Sequence, residues 1–447
     1  MITTSPFPAR LSAALLFGGF LLAKLLAESP ATADPILPEL FLNGRTVATN
    51  LLPGILEVRP ELGLATFPWV RGRRIYQASS REAGLYETRA TLTPQGDYLL
   101  MFPDGEHYHG KKTKVNKLLA MRSSDRGETW TKPVEAFQID YNQHGFIPLI
   151  PRGSKRIYAF GTQPVWKEFS VEEGLSENAP IGFRFSDDDG HTWSDVTLIR
   201  PTNHPEWRGM SVMRMTETDR GTWLLGSHDA DWSKKPLETH LYLLRSTDQG
   251  QSWTLLPGKP PGGWQARGYG RMDEGRPIAL GDGKVLFMMR TPEGHLWASR
   301  SEDDGLTWTE PRPTPLVHPD APPMLFHLSD GKTLVAFHHN RSHSKSSALD
   351  GSNKVMMADR SELWFSTSSD GGLTWNEPRF ILVNVLGETL ANAWRNYNCS
   401  YVDAFSDQGE LQVFMPHRWE RVLHLRIKEG DLEKFPTAGQ LWSGRQQ

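Results

Sequence analysis

Three arginines, two of them beside short apolar runs that predict β-strands, have side chains that could bind an anion. Arg89 comes just before one apparent strand, and Arg290 directly follows the run at residues 285–289. Arg360 lies in the stretch Asp359-Arg-Ser-Glu-Leu-Trp364, eight residues before Ser368. A guanidinium carries a permanent charge and can bind a carboxylate through two parallel hydrogen bonds, which lysine cannot reproduce. Three such groups around one point would therefore bind a carboxylate-bearing ligand.

Histidines form a second group of candidate acid–base side chains. A pocket lined by histidines could carry out general acid/base chemistry without a covalent nucleophile. Isolated histidines, however, more often pack in the interior or face solvent than bind a metal, so we predict no metal ion and no cofactor. The candidates, all in or beside predicted loops, are His144, His228, His338, His339, His343 and His417.

Five copies of one eight-residue pattern organise the chain. Each copy reads S-x-D-x-G-x-[T/S]-W. The Asp can accept hydrogen bonds from backbone amides of a tight turn, the Gly can adopt a positive φ, and the Trp supplies an apolar anchor. The pattern therefore predicts a structural turn, and we assign no catalytic role to it. The copies begin at Ser123, Ser186, Ser246, Ser301 and Ser368.

The spacing of these turns predicts the elements that position the candidate side chains. Successive starts lie 63, 60, 55 and 67 residues apart, which suits four short strands with their loops but is too long for the common helical repeats. Apolar runs at residues 98–102 and 284–289 are typical of buried strands, and long amphipathic helices are not evident. The sequence predicts an all-β propeller with four-stranded antiparallel blades. A ring of blades also accounts for 447 residues without a linker, since each blade packs on its neighbours.

The repeats resemble the Asp boxes of the sialidase (neuraminidase) superfamily, whose fold is a six-bladed β-propeller. Five boxes and one blade completed by both chain ends fit that count. The resemblance covers roughly residues 75–430. We therefore predict a signal peptide at residues 1–33, an N-terminal extension at 34–74 that could contribute a ring-closing strand, and a sialidase-like propeller at 75–447.

The predicted signal peptide rests on the order of charge, apolar core and cleavage site. Arg10 is followed by an apolar stretch at residues 11–23 and by Ala31-Thr-Ala33. This order resembles a secretory leader, and Lys24 leaves the apolar run too short for a comfortable transmembrane helix. We expect export to the periplasm or the medium, a mature chain from Asp34 and no stable membrane insertion.

The resemblance also implies roles for individual residues. Arg89, Arg290 and Arg360 stand where the family keeps its carboxylate-binding arginines, although Arg-Ala-Thr-Leu replaces the family's Arg-Ile-Pro at Arg89. Tyr401 resembles the family's nucleophile and Glu274 the base beside it. A phenol with a pKa of about 10 needs such a base near neutral pH. A neutral phenol also approaches a carboxylate-bearing sugar without the repulsion that an Asp or Glu nucleophile would meet.

The general acid is left open by the sequence. The family uses an Asp on a loop between the first arginine and the first box. In the corresponding stretch, residues 103–112, Asp104 is the only aspartate, but it lies in Pro-Asp-Gly, an ordinary turn sequence. Glu106, His107 and His109 are the competing candidates.

The composition of the chain limits which binding partners and covalent cross-links it can have. The chain has 49 basic and 52 acidic residues, a formal charge of -3 and no basic run, which makes nucleic acid an unfavourable partner. The single cysteine, Cys399, excludes an intramolecular disulfide and is predicted to be a small buried hydrophobe.

These features lead to one main functional hypothesis and two alternatives. The main one is an exported, sialidase-like glycoside hydrolase that removes a terminal acidic sugar with retention. The first alternative is a propeller that binds a glycan or protein without turnover, because Asp boxes also occur in proteins without activity. The second is a hydrolase or lyase for uronate-containing polysaccharide, for which a histidine pocket could serve.

Overall fold

The strands form a ring of six antiparallel blades, which confirms the predicted all-β, six-bladed propeller. The computed structural model describes residues 39–42, 45–48, 56–78, 85, 87–104, 116–139, 147–162, 178–231, 233–234, 237–258, 262–266, 268–342, 360–385 and 399–443. The predicted signal peptide lies outside these residues, as do Glu106, His107, His109, His144 and His343.

Twenty-eight strands are present among the described residues, and five of them precede the first blade. These five are β1 (Glu39–Leu42), β2 (Arg45–Ala48), β3 (Glu57–Arg59), β4 (Leu64–Thr66) and β5 (Arg71–Gln77). The first blade consists of β6 (Arg89–Leu92), β7 (Tyr98–Asp104), β8 (Asn116–Ser123) and β9 (Val134–Ile139). The second consists of β10 (Ile147–Leu149), β11 (Ile157–Thr162), β12 (Ile181–Ser186) and β13 (Thr197–Leu198).

The remaining blades follow the same order from the axis outward. The third consists of β14 (Thr216–Glu217), β15 (Trp223–Asp231), β16 (Glu238–Ser246) and β17 (Thr254–Leu256). The fourth consists of β18 (Asp273–Gly281), β19 (Lys284–Arg290), β20 (His295–Ser301) and β21 (Arg312–Val317). The fifth begins with β22 (Met324–His327), β23 (Leu334–His338), β24 (Glu362–Ser368) and β25 (Arg379–Asn384). The sixth begins with β26 (Asp403–Asp407), β27 (Glu410–His417) and β28 (Arg421–Lys428).

Strands from the N-terminal part of the chain complete the last two blades. β5 pairs with β28 as the fourth strand of the sixth blade, with Gln77 opposite Arg421 and Arg71 opposite Arg426. β4 pairs with β25, and β3 with β4, so the fifth sheet has six strands. β5 spans the predicted boundary between residues 74 and 75. The ring is therefore closed by backbone hydrogen bonds between the two ends of the chain.

The hydrophobic core is divided into interfaces between neighbouring blades. Six apolar clusters occur among the described residues, and each joins two adjacent blades. Leu99 and Ile157, for example, pack between the first and second blades, and Leu286 and Leu325 between the fourth and fifth. This arrangement gives each blade two buried faces, which the apolar runs in its middle strands fill.

The five boxes are turns between the third and fourth strands of the first five blades. In the second box, Ser186 Oγ accepts a hydrogen bond from the Gly190 amide at 2.6 Å, and Asp188 Oδ1 accepts one from the Thr192 amide at 2.8 Å. Asp189 and Gly190 have φ angles of 64° and 83°, which explains the glycine at this position. The Asp of each box is therefore satisfied within its own turn.

Helix is confined to the C-terminus of the described chain. A 3-10 helix at Glu429–Lys434 is followed by α1 (Ala438–Ser443). No helix within the described ranges has the length and apolar character needed to cross a membrane.

Candidate active site

The predicted site residues lie at one end of the inner strands. Arg89 is the first residue of β6, Glu274 the second of β18, and Tyr401 lies two residues before β26. Arg290 ends β19, whose last residue pairs with the first residue of the antiparallel β18. Arg360 lies two residues before β24. Because inner strands surround the axis, residues far apart in sequence converge at this end of the propeller.

Tyr401 and Glu274 are in direct contact. The Tyr401 hydroxyl donates a hydrogen bond to Glu274 Oε1 at 3.0 Å, and both side chains are buried. Arg290 forms a salt bridge with the other oxygen of Glu274, and its Nη1 lies 3.4 Å from the Tyr401 hydroxyl oxygen. The guanidinium carbon of Arg360 lies 5.9 Å from the centre of the Tyr401 ring. The phenol thus has a carboxylate and two guanidinium groups around it.

The backbone at both residues is in an unusual conformation. Tyr401 has a φ of 59° and Glu274 a φ of 43°, values that cost a non-glycine residue about 1–3 kcal/mol. The pairing of β18 with β19 shifts register between Asp273 and Arg276, so Glu274 lies in a β-bulge. Bulges re-aim a side chain relative to the regular strand. The bulge here directs Glu274 towards Tyr401.

Asp320 connects the arginines and was not found from the sequence. Its Oδ1 accepts a hydrogen bond from Arg290 Nε at 2.6 Å and its Oδ2 one from Arg271 Nη1 at 2.7 Å, while its carbonyl oxygen accepts one from Arg360. Asp320 is 1% exposed. Its only sequence signal is its place in a proline-rich loop at residues 319–323, which identifies a turn rather than a site.

Arg89 has a different set of partners. Its Nη2 donates to Glu87 Oε2 at 2.6 Å and its Nη1 to the Thr88 carbonyl oxygen at 2.9 Å. Glu87 is fully buried, and its charge acts on the Tyr401 phenol. Tyr401, Glu274 and Arg290 are therefore in direct contact, and Arg360 lies near the Tyr401 ring and shares Asp320 with Arg290. Arg89 is related to them only through the charge of its partner Glu87.

The electrostatics keep the phenol protonated in the free protein. Burial, with the negative charge of Glu274, raises the pKa of Tyr401 well above 10, and Arg290 and Arg360 oppose this only in part. Burial works against the charge of Arg290, but Asp320, Glu274 and Asp273 outweigh it and raise the pKa of the guanidinium. A neutral phenol beside a carboxylate is the arrangement in which proton transfer to Glu274 can accompany attack.

The candidate general acids lie at the edge of the described structure. Asp104 is the last residue of β7, and its backbone pairs with Lys117 of β8. Its side chain is outside the described part, together with Glu106, His107 and His109. The assignment of the acid therefore stays a prediction.

Three of the predicted histidines, His338, His339 and His417, are buried in the packed interior, and burial lowers the pKa of each. Burial lowers the pKa of His338 to about 4 and that of His339 to about 3. His338 Nε2 bonds to Ser366 Oγ at 3.1 Å, and His417 Nε2 to Asn384 Oδ1 at 2.9 Å. Among the residues that the structure describes, no group of three or more His, Cys, Asp or Glu side chains is placed to hold a metal ion. His228 differs from these three histidines, because its Nδ1 accepts a hydrogen bond from the Glu274 amide at 3.4 Å, which places it beside the Tyr401–Glu274 pair.

Sequence and structure comparisons agree with this architecture. The family model described as a BNR repeat-like domain matches residues 152–413. The Hadza microbial sialidase Hz136 is 17% identical, with a TM-score of 0.58 over 82% of this chain and 69% of that chain. A protein of unknown function from Dyadobacter fermentans is 16% identical, with a TM-score of 0.57 over 80% of this chain and 99% of that chain. The NanB sialidase from Streptococcus pneumoniae is 12% identical, with a TM-score of 0.58 over 87% and 73%.

A search of curated proteins found no match. At identities of 12–17% the solved structures show the fold alone. The family model, in contrast, covers more than half of the chain, including four of the five boxes. On that evidence the chain belongs to the BNR repeat-like domain family, and its fold is that of the sialidase propellers.

Proposed function

We propose that this protein is a sialidase-type glycoside hydrolase that releases a terminal acidic sugar with retention of configuration. The observation that carries the proposal is the 3.0 Å hydrogen bond between the Tyr401 hydroxyl and Glu274, with Arg290 beside both groups. In this mechanism Glu274 takes the phenol proton as the Tyr401 oxygen attacks the anomeric carbon. Water then breaks the glycosyl–tyrosine bond, and the proton returns to the phenol.

The arginines supply the site for the sugar carboxylate. Arg360 Nε and Arg89 Nε are buried donors with no hydrogen-bond partner among the described residues. Buried donors in folded proteins are nearly always paired, so such atoms indicate a missing acceptor. A carboxylate in contact with Arg89, Arg290 and Arg360 would supply it, and Asp320 would hold Arg290 in place during binding.

The leaving-group oxygen requires a proton donor, and we propose that it comes from Asp104 or from Glu106, His107 or His109. The transition state would resemble an oxocarbenium ion. Dehydrated sugar-acid analogues, which share its flattened ring, should therefore bind more tightly than the free sugar.

The test is fluorophore release from methylumbelliferyl sialic acid by the chain from Asp34 onward. Tyr401→Phe should lower kcat by about 10³-fold or more, and Glu274→Gln by about 10²–10⁴-fold, because each removes half of the activated nucleophile. Tyr98→Phe is the matched control. Tyr98 is also buried, and its hydroxyl donates a hydrogen bond to Asp407 at 2.6 Å. Asp407 is the last residue of β26, so this contact lies at the end of the strand away from Tyr401.

The control variant should retain the wild-type rate within about threefold. Equal rates for Tyr401→Phe and wild type would contradict the mechanism. A wild-type protein inactive on every sialoside would contradict the substrate and favour uronate-containing glycans or binding without turnover.

We also propose that the protein is exported, on the strength of the leader at residues 1–33. Mass spectrometry of the protein secreted from a bacterial host should find a mature N-terminus at Asp34. An intact Met1 on the cell-associated protein would contradict export.

A further inference from the structure

A cavity of about 400 Å³ lies further along the inner strands, away from Tyr401. Arg214 and Arg276 lie at its inner end, near the start of β26. Its walls then follow β18, β22 and β26 to Ser329 and Ser406, of which Ser329 is exposed to solvent. The cavity therefore has a charged inner end and a mouth on the side of the ring opposite the candidate active site.

Arg276 is an unusual residue for the inside of a protein. It is only 3% exposed, and its guanidinium carbon lies 4.0 Å from the centre of the Phe326 ring. No described residue accepts a hydrogen bond from it or forms an ion pair with it. Among the described residues, its charge is offset only by the Phe326 ring and, at longer range, by Asp403, so the guanidinium can still bind an anion in the cavity.

The charges around Arg276 do not balance. Arg89 is paired with Glu87, and Arg214 binds Asp403 through two hydrogen bonds, of 3.1 and 2.8 Å. Asp403 interacts electrostatically with Arg214, Arg89 and Arg276, but both of its oxygens are already engaged. Burial and the positive charge of Arg214 lower the pKa of Arg276, which is the direction expected for an uncompensated cation. One positive charge at the inner end is thus left over among these described groups.

We propose that this cavity binds a small organic monocarboxylate, with its carboxylate on Arg276 and its apolar part towards the mouth. The single excess positive charge at the inner end matches the one carboxylate of a monoanion. The walls beyond Arg276 are mainly apolar, with Ile278, Leu325 and Phe405 beside the polar Thr216 and His327, which suits an aliphatic body better than a fully hydrated ion. Glu429 accepts a hydrogen bond from the Ser329 amide at 2.9 Å, and its charge at the mouth disfavours phosphate and other multiply charged anions.

Butyrate is the probe for this site. It is titrated into the full chain by calorimetry at constant ionic strength, and chloride and phosphate are titrated in parallel. We expect one butyrate per chain. Arg276→Met should weaken binding by at least about tenfold, because it removes a charge-assisted hydrogen bond. Arg184→Met is the matched control and should not change the affinity, because Arg184 also stacks on an aromatic ring, Phe137 at 5.1 Å, but lies outside the cavity.

A second variant keeps the test decisive if Arg276→Met does not fold. Ser406→Phe narrows the mouth without altering Arg276, and Ser406 is only half-buried, so we expect a folded protein with weakened butyrate binding. Absence of butyrate binding to wild type, or unchanged binding to the variants, would overturn the proposal. Tighter binding of chloride or phosphate than of butyrate would overturn the assignment to an organic carboxylate.

Discussion

Asp125, in the first box, and Asp320, beside the candidate active site, are both carboxylates held by several hydrogen bonds, but their partners differ. Asp125 accepts from Ser123 and Thr129, at most four residues away, and is exposed. Asp320 accepts from Arg290 and Arg271, 30 and 49 residues away, and is buried. The hydrogen bonds of a box, at the rim of the propeller, therefore all lie within one turn. The network of Asp320 with its arginines, at the axis, forms only when the blades are assembled. Loss of one carboxylate should be far more damaging at the axis than at the rim.

The largest effect is expected for Asp320→Asn. The change leaves Arg290 and Arg271 with less compensating charge in a buried network, and breaking a buried ion pair costs about 3–5 kcal/mol. Urea unfolding should show this loss in the free energy of unfolding. If the variant folds, KM for the sialoside should rise more than kcat falls, because Asp320 positions Arg290 and Arg360 for the carboxylate rather than reacting itself. A free energy of unfolding equal to that of wild type would show that the carboxylate at the axis contributes no more to stability than one at the rim.

A much smaller effect is expected for Asp125→Asn at the rim. Asparagine retains one carbonyl oxygen for the Thr129 amide, and the site is exposed to water, which replaces the lost contact. We expect the Tm to fall by about 2 °C or less. The four remaining boxes serve as internal controls, since each is satisfied within its own turn. A loss as large as that of Asp320→Asn would show that the boxes contribute to cooperativity of the whole ring.

The smallest effect is expected in the pH dependence of the Tm difference between wild type and Asp125→Asn. Hydrogen bonds from Thr129 and Ser123 lower the pKa of Asp125 to about 2 from an ordinary value of 3.8. A depressed pKa in the folded state stabilises the protein above the ordinary pKa, and this contribution is lost as the pH falls through the folded value. The Tm difference between wild type and Asp125→Asn should be constant above about pH 4 and shrink towards pH 2. A difference that grows on acidification would contradict the assignment.

The same contrast explains how much the sequence predicted. The boxes were found because all their interactions lie within eight residues, and their spacing was sufficient for the propeller and its four-stranded blades. The strands at β7 and β19 were predicted from their apolar runs, since both are buried on two faces. Arg290 and Arg360 were predicted from their positions relative to the boxes, and Tyr401 and Glu274 from the resemblance of their segments to the sialidase family. The structure brings these four residues together.

Asp320 and Arg276 could not be predicted in this way. Each depends on contacts between different blades, and neither occupies a fixed position in a repeat. The unpaired charge of Arg276 becomes evident only when the partners of Arg89 and Arg214 are known. The extra strands β3 and β4 on the fifth blade were also not expected, because a short strand gains its stability from the sheet edge it joins.

The closure of the sixth blade has a consequence for the order of synthesis. β5 leaves the ribosome early, but its partner β28 is among the last strands to be made. Throughout translation the nascent chain therefore carries strand edges that have no partner, and such edges are sites of misassociation. The two edges meet only when the chain is nearly complete. Truncation at either terminus has the same structural result, an open ring with two unprotected edges.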